Sequence, residues 1–155
     1  MRWVKPQNIH LTLAFLGDLP IEKLPPLKSA LDGSIPGMEP FELEAAGTGF
    51  FGRPSRPRVV WAGIADCPPL MQLQQRTVYA LQRANIDFDA KPFSPHLTLG
   101  RVKALDHHTE SLLAKLEKYK DEPVGQAHIG AVQLIQSELK SGGAEYNVLH
   151  RVPLL

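Results

Sequence analysis

One tetrapeptide, His-Leu-Thr-Leu, occurs twice in this 155-residue chain, at 10–13 and again at 96–99. In an extended strand successive side chains alternate, so each copy sets a histidine and a threonine on one face and two leucines on the other. Each copy is also preceded by a proline four residues earlier, Pro6 and Pro92. Two such segments imply two strands with one wet face each, and hence two half-lobes related by a pseudo-two-fold axis.

The rest of the chain reads as short strands alternating with helices. Residues 9–16 alternate as a strand, with Ile9, Leu11, Leu13 and Phe15 on the inner face. A helix is expected over 25–32, with Pro25 and Pro26 in its first turn and Gly33 as its cap. A weak strand at 41–46 gives way to a glycine-rich loop that carries Phe50, Phe51, Arg53, Arg56 and Arg58, and a strong strand follows at 59–65. Leu70, Leu73, Thr77, Val78 and Leu81 form the buried stripe of a helix that starts at Pro68-Pro69 and ends near Asn85. After a strand at 93–102, Asp106 or Thr109 caps a helix reaching about Lys120, with Leu112, Leu113, Leu116 and Tyr119 turned inward. Strands at 126–139 and 144–152, joined by a Ser141-Gly142-Gly143 turn, close the chain. Several strand pairs leave no room for a crossover helix. The order therefore predicts α+β: two pseudo-symmetric lobes of antiparallel sheet with outer helices and an active cleft between them, all within one domain over 1–155.

Composition narrows the setting. Hydrophobic residues make up 43% and charged residues 21%, the balance of a soluble globular domain. There is no signal-like or spanning apolar run, so a cytoplasmic protein without membrane contact is expected. Cys67 is the single cysteine, which excludes an intrachain disulfide and any multi-cysteine metal site. With 17 Lys+Arg against 16 Asp+Glu the formal charge is only +1, so a polyanion would have to be gripped locally.

The paired motifs carry the chemistry. Two imidazoles, His10 and His96, and two hydroxyls, Thr12 and Thr98, gathered in one volume can open a phosphodiester. One neutral imidazole takes a proton from the nucleophile, the other, protonated, donates to the leaving oxygen, and the hydroxyls hold non-bridging oxygens. A cyclic phosphodiester suits this set best, because ring strain favours opening and no metal or other cofactor is needed.

These residues, with Arg2-Trp3-Val4, the run Asn8 to Gly17, Arg56 to Gly63, Phe93 to Arg101, and Ser137, Leu139 and Gly143 to Tyr146, resemble the two-histidine phosphoesterases along the whole chain. Within that superfamily the branch is that of the RNA 2′,3′-cyclic phosphodiesterases, also called 2′-5′ RNA ligases. The resemblance implies metal-free hydrolysis of terminal 2′,3′-cyclic phosphate on RNA, or of nucleoside 2′,3′-cyclic phosphates, to a 2′-phosphate. It also implies reversible ATP-independent 2′-5′ joining. By resemblance His96 is the base that activates water, His10 is the acid that protonates O3′, and Thr12 and Thr98 are phosphate ligands; the sequence symmetry itself leaves the two histidine roles interchangeable. A 2′-5′ oligonucleotide or small cyclic-nucleotide phosphodiesterase, and a non-catalytic RNA-end binding module, are the alternatives.

Other residues are read beside this set. Arg101, five residues after His96, would face away from it in an ideal strand, and reaches the phosphate only if the strand bends at Gly100. Arg53, Arg56 and Arg58 are candidates to grip RNA phosphates, and Phe50 and Phe51 to stack a base. Phe15 is expected in the core. His107, His108, His128 and His150 lack metal-ligand spacing. Branch members normally carry a strand and a helix before the Arg-Trp-Val segment, which here starts at residue 2. The chain is thus expected to be short at its N-terminus, monomeric if those elements are present and less stable or self-associating if they are absent.

Overall fold

A computed structural model describes residues 1–155. The elements run β1 (Arg2–Trp3), a 3-10 turn (Pro6–Asn8), a second 3-10 turn (Ile21–Lys23), α1 (Leu24–Ser34), β2 (Phe41–Arg53), β3 (Arg56–Ile64) and α2 (Pro68–Arg83). They continue with β4 (His96–Arg101), α3 (His107–Lys118), β5 (Pro123–Ile129), β6 (Ala131–Lys140) and β7 (Gly143–Pro153). The class is α+β, and every strand pair whose direction is defined is antiparallel. The strands form one five-stranded sheet in the order β1-β4-β3-β2-β5 and a two-stranded sheet β6-β7. No helix is long and apolar enough to cross a membrane.

The chain divides into two compact units. The first comprises Met1–Thr12, Leu43–Cys67 and Phe93–Ala127, and holds α3 and nearly all of the five-stranded sheet. Leu43, Ala45, Val60 and Ala62 are buried on one face of that sheet. On the same face Thr48, opposite Ala62, donates its hydroxyl to the Leu116 carbonyl of α3 at 2.9 Å. Asp106 starts α3 as expected, its carboxylate accepting from the Thr109 backbone N–H at 2.8 Å. Tyr119 is instead 55% exposed, because it falls just past the last helical residue, where it is the C-cap.

The glycine-rich stretch expected as a loop is strand. β2 runs unbroken to Arg53 and turns at Pro54-Ser55 into β3. Its glycines serve irregularities in the sheet. Gly47 sits at φ +79°, where β2 gains a residue relative to β3, and a Cβ there would strike the Lys120 carbonyl. Gly49 lies under the Trp61 indole, whose carbons would be 2.5 Å from a Cβ.

The second unit comprises Leu13–Glu42, Pro68–Pro92 and His128–Leu155. Leu27, Leu31 and Ile35 from α1 and its cap, Leu73, Ala80 and Leu81 from α2, and Val132, Val152 and Leu154 from the closing chain form its core. Each fully buried leucine or isoleucine contributes roughly 1.5–3 kcal/mol of transfer free energy. α1 runs through Gly33 to Ser34 and ends on Ile35, whose N–H bonds the Leu31 carbonyl, so Gly33 is not its cap. The single strand expected at 126–139 is two, β5 and β6, interrupted at Gly130; the Gly130 carbonyl accepts from Leu154 N–H at 3.0 Å.

Candidate active site

Both copies of the tetrapeptide belong to the first unit through His10, Leu11, Thr12 and 96–99, but they sit in unequal backbones. The second copy is regular strand within β4. The first is not a strand over 9–16: its only sheet contact is an isolated antiparallel bridge between Leu11 and Leu97. The alternation fails because Leu13, Ala14 and Leu16 all pack on the second unit's core, which a period of two cannot satisfy. Phe15, expected inside, is 67% exposed. The Leu11–Leu97 pairing sets His10 across from Thr98 and Thr12 across from His96, on the face opposite the two leucines.

The histidines share one anchor. His10 Nδ1 lies 2.7 Å from the Asn8 carbonyl oxygen and His96 Nδ1 lies 2.8 Å from that of Ser94. A carbonyl only accepts, so in each ring Nδ1 carries the hydrogen and Nε2 becomes the nitrogen that takes or gives a proton. Sequence reading missed both anchors; the signal available was the offset of two residues, reached by a 3-10 turn ending at Asn8 in one case and by Ser94-Pro95 in the other.

Register decides which other side chains share this face. Along β3 and β4, Gly63 pairs with His96, Ala62 with Leu97 and Trp61 with Thr98, but Val60 pairs with Gly100 and Val59 with Arg101. β4 thus gains one residue at Leu99, and the alternation reverses beyond it. Arg101, which an ideal strand would turn away, is returned to the face of His96 and Thr98. On its other side it is opposed by Arg2 of β1. The same rule separates the two phenylalanines. Phe51 pairs with Val59 and lies on the histidine face, whereas Phe50 pairs with the buried Val60 and faces the core side, which removes it from the candidate RNA surface.

Phe51 is 37% exposed but is engaged by protein rather than open as a platform. Its ring meets His96 edge to face, centroids 4.8 Å apart at 87°, and leans on Trp61 at 5.5 Å. Arg53 and Arg56 oppose one another at the end of the β2–β3 hairpin, and Arg58 falls where β3 carries the extra residue of a second irregularity. All five arginines of this region, Arg2, Arg53, Arg56, Arg58 and Arg101, are exposed, and none joins any of the chain's ion pairs.

The remaining histidines lie elsewhere. His128 pairs with Glu42 at 2.6 Å and His150 with Asp32 at 2.7 Å, while the His107 and His108 rings are 6.2 Å apart and tilted. No three His, Cys, Asp or Glu side chains gather as metal ligands. Chemically, the histidine face offers two oriented imidazoles, two hydroxyls and uncompensated guanidinium groups, a set able to exchange protons about a phosphorus centre and to hold its oxygens.

Known proteins share this plan. The model of the LigT like Phosphoesterase family matches residues 1–61 and 64–146. An Aquifex aeolicus protein named RNA 2′,3′-cyclic phosphodiesterase is 34% identical over 154 residues, covering 96% of this chain and 79% of that protein. One of the same name from Archaeoglobus fulgidus is 34% identical over 146 residues, covering 94% and 80%. The crystal structure of a Thermus thermophilus protein aligns with TM-score 0.78 at 29% identity, over 99% of this chain and 81% of that one. The crystal structure of E. coli LigT complexed with 3′-AMP aligns with TM-score 0.74 at 28% identity, over 99% and 80%. With a family model spanning most of its length and relatives above 30% identity, the chain belongs to the LigT-like phosphoesterases.

Proposed function

We propose that this protein hydrolyses the terminal 2′,3′-cyclic phosphate of RNA to a 2′-phosphate, using His10 and His96 as an acid–base pair without a metal ion. The observation that carries this reading is the twin anchoring of the imidazoles. Each donates Nδ1–H to a carbonyl two residues earlier, which fixes the tautomer that a proton-transferring Nε2 requires. The name shared by the relatives from Aquifex and Archaeoglobus supplies the substrate class.

In the proposed step His96 takes a proton from water as its oxygen bonds to phosphorus. The P–O3′ bond breaks, and His10, protonated at the outset, gives its proton to O3′. Thr12 and Thr98 hold the non-bridging oxygens and Arg101 offsets their charge, which grows as the fifth oxygen arrives. Arg53, Arg56 and Arg58 contact RNA phosphates away from the reacting end. When a 5′-hydroxyl takes the place of water the same pair makes a 2′-5′ linkage, and in reverse each histidine acts in the opposite sense. Nucleoside 2′,3′-cyclic phosphates are substrates of the same chemistry.

The test is incubation with an RNA ending in 2′,3′-cyclic phosphate, with and without EDTA, followed by identification of the phosphomonoester. The expected product is the 2′-phosphate, at the same rate in both. A 3′-phosphate, loss of activity in EDTA, or binding without turnover would overturn the reading.

A further inference from the structure

Two like-charged pairs stand directly opposed across neighbouring strands on the histidine face, Arg2 against Arg101 and Arg53 against Arg56. Facing cations cost a sheet stability, and no carboxylate relieves either pair. In a chain with a net charge of only +1, these pairs concentrate positive charge on one face, where it attracts an anion.

Arg56 of the second pair also borders a separate feature. A cavity of about 290 Å³ lies where the hairpin end meets the connection from β4 to α3, lined in part by Arg56, Pro57, Arg58, Val102, Lys103 and Leu105. Its frame is the hydrogen bond from Val102 N–H to the Arg58 carbonyl at 2.9 Å. Three cations border it, none of them in an ion pair. Leu105, 41% exposed, adds apolar surface on its wall. Three cations without carboxylate partners match a phosphate group.

The cavity lies just past the C-terminal end of β4, the strand that carries His96, Thr98 and Arg101. β4 ends at Arg101 and the chain bends at Lys103, so at about 3.3 Å per residue the five steps from Thr98 to Lys103 span at most about 16 Å, with Arg101 and its partner Arg2 between. That interval is longer than one nucleotide bridges. The geometry points to a distal subsite for an internucleotide phosphate upstream of the reacting end, centred on Lys103 with Arg56 and Arg58, which an RNA strand reaches and a mononucleotide does not. This rests on the proposed phosphodiesterase reading and adds to it the direction of the strand, from Thr98 past Arg101 toward the hairpin end, and a residue, Lys103, outside the motifs.

The test uses Lys103→Glu and Lys103→Ala in two assays. In the first, a short oligoribonucleotide ending in 2′,3′-cyclic phosphate is compared with a nucleoside 2′,3′-cyclic phosphate. Lys103→Glu is expected to raise KM for the oligonucleotide roughly tenfold and to leave the mononucleotide within about twofold, since a one-nucleotide ligand does not reach the cavity. In the second, fluorescence anisotropy follows binding of a single-stranded oligoribonucleotide with a plain 3′-hydroxyl as salt is varied. Lys103→Ala should reduce the slope of log affinity against log salt by about 0.7. Unchanged oligonucleotide KM and salt slope, or equal losses for both substrates, would overturn the subsite. If the wild type turned over neither substrate, the phosphodiesterase reading would fail while the anisotropy assay still decided whether Lys103 meets an RNA phosphate.

Discussion

The two copies of His-Leu-Thr-Leu are identical in sequence and unequal in structure. The copy at 96–99 lies in a strand with neighbours on both edges, β3 along one and β1 with Leu11 along the other. The copy at 10–13 has one bridge, entered from a 3-10 turn and left by a segment that packs its apolar residues elsewhere. Strand propensity is thus realised only where partners exist to receive it. What survives the change of backbone is the bond from each Nδ1 to a carbonyl two residues back. The comparison teaches that the element shared by the two copies is the orientation of an imidazole, and that regular secondary structure is one of two ways to supply it.

If orientation is what counts, the unequal scaffolds should not show in the chemistry. His10→Ala and His96→Ala are each expected to lower kcat by ~10²–10⁴, with binding of a 3′-hydroxyl RNA retained. A loss confined to His96→Ala would break the comparison by showing that the single-bridge copy is not part of the catalytic pair.

A smaller effect should sharpen the comparison at the second copy. The Phe51 ring stands edge to face against the His96 imidazole, a support beyond the carbonyl anchor. Phe51→Leu is therefore expected to lower kcat by about two- to tenfold with KM little changed, and Phe51→Tyr to restore it. A rise in KM with unchanged kcat would return Phe51 to the role of base platform that the sequence suggested.

The smallest effect concerns the support behind β2 and β3. The Asp106 carboxyl is held below its ordinary value chiefly by the Thr109 backbone N–H, and further by the Thr109 side chain. A group depressed on folding stabilises above the unfolded carboxylate value of about 3.9 and loses that contribution as pH falls through the lower, folded one. Asp106→Ala should therefore lower the denaturation midpoint slightly at pH 7, and the gap from wild type should narrow below pH ~4, read by urea unfolding at each pH.

Much of the architecture was legible because it follows from local rules. The stripe of Leu70, Leu73, Thr77 and Leu81, the Asp106 cap and the Ser141-Gly142 turn each announce themselves within a few residues. The glycines between 47 and 52 misled because glycine marks loops and sheet irregularities alike, and only the approach of Lys120 and Trp61 tells them apart. At the site, the repeated tetrapeptide gave His10, Thr12, His96 and Thr98 as candidates. The side of the sheet taken by Arg101 and the division between Phe50 and Phe51 were not legible, since both depend on an extra residue at Leu99 and on pairings between strands distant in sequence.

The central claim is that one imidazole must be neutral while the other is charged, and a pH–rate profile of kcat/KM on a 2′,3′-cyclic-phosphate RNA tests it most directly. Measured under single-turnover conditions so that product release does not intrude, it should be bell-shaped, with one limb abolished in His10→Ala and the other in His96→Ala. A flat profile, or variants that keep both limbs, would contradict it.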